Sequence, residues 1–257
     1  MKKKQIIIAF SAIALSTLFV ISGCSKRKEF KNEDGQSSED NRQMQSQADE
    51  GISDANTAIG NYPSISGKSA GPLPAVLATI CGATVDTNGM YLGTIKINYD
   101  GTVCGNRKRE GSIRLTIQNY VSGKRWKDAG CVLKVDYLAY KVTRASDNKS
   151  LKFDGTHYVT NISGGTWWDL FIATQPNLSH SVTGTDLLVT FEDGATATCN
   201  INRRITYVWA NLILTCTGEG IGSSNGLNNL ENYGTTRDGD QFTSQVTTPV
   251  VWNTTCG

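Results

Sequence analysis

Downstream of about Ala75, apolar side chains recur at every second position, in short runs broken by turn residues. A period of two sets alternate side chains on opposite faces of an extended strand, and no helix shares that period. The run Thr94-Ile95-Lys96-Ile97-Asn98-Tyr99 puts Ile95, Ile97 and Tyr99 on one face, and Asp100-Gly101 follows as a turn pair suited to positive φ. Residues 112–118 and 133–137 alternate likewise. Leu187, Val189 and Phe191 lead into a second hairpin signal, Glu192-Asp193-Gly194-Ala195, and 195–202 and 205–209 read as further strands. Short strands with turn signals about every ten residues predict an all-β fold, an antiparallel β-sandwich or partly closed barrel. No long helical pattern interrupts them, which argues against a parallel α/β sheet. Faces rich in Thr, Lys, Arg and Asn predict one wet side of the sheet.

The other end of the chain reads as an address. Three lysines, Lys2 to Lys4, precede an apolar run from Ile6 to Ile21. That is the pattern of a secretory signal peptide, and the run is short for a helix that must cross about 20 residues' worth of hydrocarbon. Ile21-Ser22-Gly23-Cys24 resembles the lipobox of bacterial lipoproteins. The resemblance implies cleavage before Cys24, a diacylglycerol on its thiol and an acyl group on the new amino terminus. Each buried CH₂ adds ~0.8 kcal/mol, so two or three chains give stable attachment. Residues 1–23 carry three lysines and no acids, so their removal takes the net charge from +2 to −1.

From Ser25 to about Gln47 the chain is polar and is expected to be a disordered tether. Ala48, Ile52, Ala55 and Ile59 then recur at spacings of four, three and four. They predict a short helix over about 45–60 that packs on the domain or lies at the lipid side. The expected organisation is a signal peptide over 1–23, a lipidated tether with its helix over 24–70, and an antiparallel β domain over 71–257.

Near-neutral charge argues against a nucleic-acid partner, which needs a dense basic surface. Six cysteines remain after Cys24: Cys81, Cys104, Cys131, Cys199, Cys216 and Cys256. An even number in an exported chain favours disulfides, and with no Cys-x-x-Cys present, zinc and thioredoxin-like chemistry lose ground. Six cysteines permit 15 pairings, which spacing does not resolve. Cys131, opening an alternating strand, also reads as a small buried apolar residue.

Gly93-Thr94-Ile95, Arg109-Glu110-Gly111-Ser112-Ile113, Trp126-Lys127-Asp128-Ala129-Gly130, Thr160-Asn161-Ile162-Ser163-Gly164-Gly165, Asp193-Gly194 with Arg203-Arg204, and residues 249–256 ending in Cys256 occur in this order. Together they resemble a family of uncharacterised Bacteroidota outer-membrane lipoproteins. The resemblance implies a β architecture and an outer-membrane, cell-surface address, and it transfers no catalytic residue. It also implies hairpin strands beyond the final cysteine. The stop at Gly257 is therefore expected to mean an open sheet edge or a truncated gene. Ser25-Lys26-Arg27-Lys28-Glu29 is more basic than the surface-export signal of such lipoproteins.

Little in the sequence points to catalysis. His157 and His180 are the only histidines. Ser179-His180-Ser181 places its hydroxyls on the opposite strand face from the imidazole, and no Gly-x-Ser-x-Gly occurs. Asp238-Gly239-Asp240 with Asn228, Asn229 and Asn232 lacks the spacing of a calcium loop. The glycine run 220–226 lacks the Gly-Lys-Ser/Thr of a phosphate loop. Arg107-Lys108-Arg109 reads as a solvated hairpin tip. Among the tryptophans, Trp167-Trp168 must face opposite sides if extended, so one is expected to be exposed as a ligand contact; Asp169 is the acid beside them. The expectation is a non-catalytic, lipid-anchored binding or structural module with no cofactor beyond the lipid on Cys24. Its partners are the membrane and a glycan or envelope protein. The alternatives are a hydrolase with paired carboxylates and a fimbrial or assembly subunit that accepts a strand.

Overall fold

In a computed structural model of the chain, residues 32–67 and 79–255 are described. Cys24, expected to carry the lipid, the residues Ile21, Ser22 and Gly23 read as a lipobox, and Cys256 lie outside them. The described residues begin with a long helix, α1 (Asn32–Gly60), and a single turn, α2 (Pro63–Ser66). Twelve strands follow: β1 (Ala83–Asp86), β2 (Thr94–Cys104), β3 (Arg107–Ile117), β4 (Cys131–Arg144), β5 (Ser150–Asn161), β6 (Leu178–Phe191), β7 (Thr196–Ala210), β8 (Ile213–Gly220), β9 (Gly222–Ser224), β10 (Leu227–Thr235), β11 (Gln241–Gln245) and β12 (Val250–Asn253). A five-residue helix, α3 (Trp167–Phe171), sits between β5 and β6.

All twelve strands join one antiparallel sheet, nine of them in the order β1-β2-β3-β4-β5-β6-β7-β10-β11 with β8, β9 and β12 off that path, and the sheet is not closed. It forks at β7. Residues 198–201 of β7 pair with β10, while Arg203–Ala210 pair with β8, which in turn pairs with β12. The expected antiparallel all-β architecture is the one the chain adopts. Among the described residues no helix is long and apolar enough to cross a membrane.

A line of irregularities crosses four neighbouring strands. The register shifts between Glu110 and Ser112, Tyr137 and Tyr140, Asp154 and His157, and Gly184 and Leu187. Gly111, Ala139, Gly155 and Asp186 take positive φ there. Bulges bend a strand and sharpen its twist, so a row of them folds a flat sheet into a trough. Gly111 has a second reason to be glycine: a Cβ would lie 2.2 Å from the Ala139 carbonyl oxygen.

The trough holds α1. Met44, Ala48, Ile52, Ala55 and Ile59 are buried in one cluster with Ile97, Ile113, Val135, Tyr137, Phe153 and Val189 from the sheet. Ala48, Ala55 and Ala58 are small enough to let the helix approach. Gly51 goes further, since a Cβ there would meet the Tyr137 hydroxyl at 3.2 Å. Ion pairs then fasten both sides. Glu50 and Asp54 meet Arg107 and Arg109 of β3, Asp49 meets Arg203 of β7, and Asp40 meets Arg237 after β10. Two strand residues two apart span ~6.8 Å and two helix residues four apart span ~6 Å, so the Glu50/Asp54 and Arg107/Arg109 pairs match in spacing.

Several expectations are corrected. The helix is not a short one over 45–60: it starts at Asn32, inside the stretch expected to be disordered. Its polar third turn is held by a tertiary partner, Arg237, through hydrogen bonds of 2.6 and 2.9 Å to Asp40, and composition alone does not report this. Asp100-Gly101 is no hairpin turn. Gly101 takes φ +84 at a register shift inside β2, which runs on to Cys104. Arg107-Lys108-Arg109 is no solvated tip either. It opens β3, and Arg109 is buried against Asp54. Asp193-Gly194 does form the β6–β7 turn, with Asp193 accepting a hydrogen bond from the Ala195 amide.

Cys81 and Cys104 form a disulfide that ties the approach to β1 to the end of β2. Cys131, Cys199 and Cys216 are unbridged, and the first two are buried as small apolar side chains. Burial pushes their thiols up to about 11 and about 12.

Candidate ligand-binding cleft

One flank of α1 is polar. Gln45, Asp49, Ser53 and Asn56 recur at helical spacing beside the apolar stripe, so they share one face of the helix. Opposite them lie Ile205 and Tyr207 of β7, Cys216 and Gly218 of β8, and Glu231 of β10. Trp167 and Val250 close the sides. The space between is an open cleft of about 910 Å³, within the range of ligand sites.

Its aromatic wall is built from two elements. Thr166 starts α3, and both its backbone amide and its hydroxyl donate 2.7 Å hydrogen bonds to the Asp169 carboxylate. This fixes the helix that carries Trp167. The Trp167 ring meets Tyr207 edge-on at 4.5 Å and stacks on Phe171 at 6.0 Å; Phe171 in turn meets Trp209 at 5.1 Å. Tyr207, Cys216 and Trp252 are directly paired across β7, β8 and β12, so their side chains share a face. The aromatic wall therefore continues outward from the cleft onto the β8–β12 extension.

The charged floor centres on Arg203. The alternation Ala197, Cys199, Ile201, Arg203, Ile205 points it inward. Its guanidinium contacts both carboxylate oxygens of Asp49 and lies 3.7 Å from Glu231. Burial pushes Arg203 below its ordinary value against the pull of Glu231. Gln45 donates to Glu231 and accepts from Asn232.

A second hollow, of about 690 Å³, lies at the other end of the trough beside the first half of α1. Its guanidiniums are matched by carboxylates: Arg42 by Glu39, Arg107 by Glu50, Arg144 by Asp147 and Arg237 by Asp40. It is a self-paired rim.

Of the two expected contact residues, Trp167 lines the cleft and Trp168 is exposed outside it. They diverge because they lie on a helix, where consecutive residues turn by about 100°, and not on an extended strand. Asp169 is occupied as the cap of α3. His157 has no hydrogen-bond partner on either nitrogen, and His180 has none on Nε2. Burial pushes both imidazoles down to about 4, so they stay neutral and packed. Ser179 pairs with Thr206, away from any imidazole. Among the described residues no group of His, Cys, Asp or Glu is arranged to hold a metal ion. The glycine run 220–226 is spent on β8, β9 and a tight turn.

Sequence reasoning missed Asp49, Arg203, Glu231 and Tyr207. A signal existed for Arg203, a charge at an inward position of an alternating strand. Asp49 and Glu231 are 182 positions apart and meet only through the fold. No protein-family model, no curated protein and no solved structure matches the chain.

Proposed function

We propose that this chain is a lipid-anchored protein of the Gram-negative envelope, held at the outer membrane and cell surface by acyl chains on Cys24. Its β domain is a non-catalytic binding module, and the cleft beside α1 is its ligand site. The observation that carries this reading is the cleft itself, in which Trp167 and Tyr207 stand beside Asp49, Arg203 and Glu231. Aromatic faces with a few convergent polar groups suit a polar ligand with flat apolar faces, such as a glycan. Gln45, Asp49, Arg203 and Glu231 are held by one another, and no hydrogen bond among the lining residues joins a nucleophile to a base. Burial pushes the Cys216 thiol up, away from reactive thiolate. The cleft flanks the later half of α1, the half farther along the chain from Cys24, which suits a site presented outward on a tether.

The test is a glycan array probed with the full chain. Retention of a glycan without turnover, lost in Trp167→Ala, supports the reading; an array pattern indifferent to Trp167→Ala overturns it. A second reading, hydrolysis by paired carboxylates, draws on Asp49 and Glu231 sharing the cleft. It requires new reducing ends that disappear in Glu231→Gln. For the anchor, Cys24→Ala is expected to release the protein from the membrane fraction.

A further inference from the structure

We propose that the cleft takes an amine-bearing sugar, a hexosamine unit whose free amino group is protonated. This rests on the reading of the cleft as a ligand site, and it names the chemistry of the ligand.

The argument starts from which charge the cleft presents. Asp49 and Arg203 form one ion pair, but their exposures differ: the Asp49 side chain is 44 % exposed and that of Arg203 is 4 %. The guanidinium lies beneath the carboxylate. Glu231 adds a second, partly exposed carboxylate. Two carboxylates against one buried guanidinium leave the cleft with one net negative charge, and its accessible part is negative. An acidic sugar or a phosphate meets repulsion there, and an ammonium is attracted.

Trp167 supplies the second half. An ammonium beside the face of an indole gains from the ring quadrupole as well as from a carboxylate. The flat apolar face of a sugar ring suits the same surface. The polar flank of α1, with Ser53 and Asn56, offers hydroxyl and amide groups to ring hydroxyls. A third observation sits in the floor. Arg203 lines the cleft, and its buried Nε has no acceptor. A buried donor without a partner is costly, and a ligand oxygen or a water that reaches it removes the cost. Amine, ring face and hydroxyl oxygen together describe an amino sugar better than a simple alkylamine.

The experiment measures binding of the full chain, in detergent, to three probes: a glucosamine tetramer, the fully N-acetylated tetramer, and spermidine. Acetylation removes the charge and keeps the ring. The glucosamine tetramer is expected to bind at least about tenfold more tightly than the acetylated one, with an affinity that falls as salt rises. Spermidine is expected to bind more weakly than the glucosamine tetramer. Asp49→Asn is expected to lower affinity for the glucosamine tetramer and leave the acetylated one unchanged. Because that variant removes a partner of buried Arg203, the comparison of probes on the unaltered protein stands without it. Equal binding of both tetramers, each lost in Trp167→Ala, overturns the amine and leaves the cleft reading in place. Spermidine matching the glucosamine tetramer overturns the sugar. If neither tetramer binds and no array glycan depends on Trp167, the cleft reading falls with the amine.

Discussion

Asp54 of α1 and Arg109 of β3 form an ion pair inside the domain, their side chains only 15 % and 8 % exposed. Tyr99 donates a 2.6 Å hydrogen bond to the same carboxylate, and Arg109 lies over the Tyr99 ring at 4.9 Å. Burial pushes the Asp54 carboxyl up, while the Tyr99 hydrogen bond and the Arg109 charge pull it back. A buried pair of this kind contributes little net stability, yet breaking it strands a charge. Arg109→Met or Asp54→Leu alone is expected to cost about 3–5 kcal/mol, and the two together much less. Urea unfolding of the four proteins measures both the costs and the coupling. A single-variant cost below about 1 kcal/mol means that the pair does not hold α1 in the trough.

The two buried imidazoles make stability depend on acid. Both have native values lowered from 6.5 to about 4. Between those values the unfolded chain binds more protons than the folded one, so stability rises with pH across that window. It is complete above about 6.5 and lost progressively as pH falls towards 4. Each imidazole accounts for roughly 3 kcal/mol. Melting temperature followed from pH 7 to pH 4 should fall, and His157→Leu should flatten the slope. An unchanged slope in that variant rules out His157 as the source.

The disulfide between Cys81 and Cys104 closes a stretch with a sequence separation of 23. In the chain-entropy account a loop of this size is worth about 3 kcal/mol. The variant with both cysteines changed to Ser should unfold at correspondingly lower urea, and reductant should shift the unaltered protein by the same amount. Reductant that shifts the double variant equally would place the effect at another cysteine.

Gly111 tests the row of bulges. Gly194 takes a similar φ, +85, with nothing within 4 Å of an added Cβ. Gly194→Ala should therefore cost only the backbone strain, roughly 1–2 kcal/mol. Gly111→Ala adds a clash with the Ala139 carbonyl and should cost clearly more. Equal costs for the two variants indicate that β3 and β4 can part at the bulge without consequence.

Local chemistry determined much of this protein. The two-residue alternation of residues such as Ile95, Ile97 and Tyr99 specifies strands whatever surrounds them, because an inward set and an outward set must separate. The stripe Ala48, Ile52, Ala55, Ile59 specified a helix in the same way. Thr166 and Asp169 form a capping box that, read as such, marks a helix start and not a strand at Trp167-Trp168. What no local pattern contains is the partner. The first half of α1 has a composition that reads as disordered, and partners such as Arg237, 197 residues from Asp40, help hold it there. The bend of the sheet came from bulges whose alignment exists only once four strands are in register. The cleft came from the fork at β7, which sets Arg203 beneath Asp49 and beside Glu231. Periodicity is written residue by residue, so sequence carries it. Charge pairing, curvature and concavity belong to segments far apart in the chain, so only tertiary structure decided them.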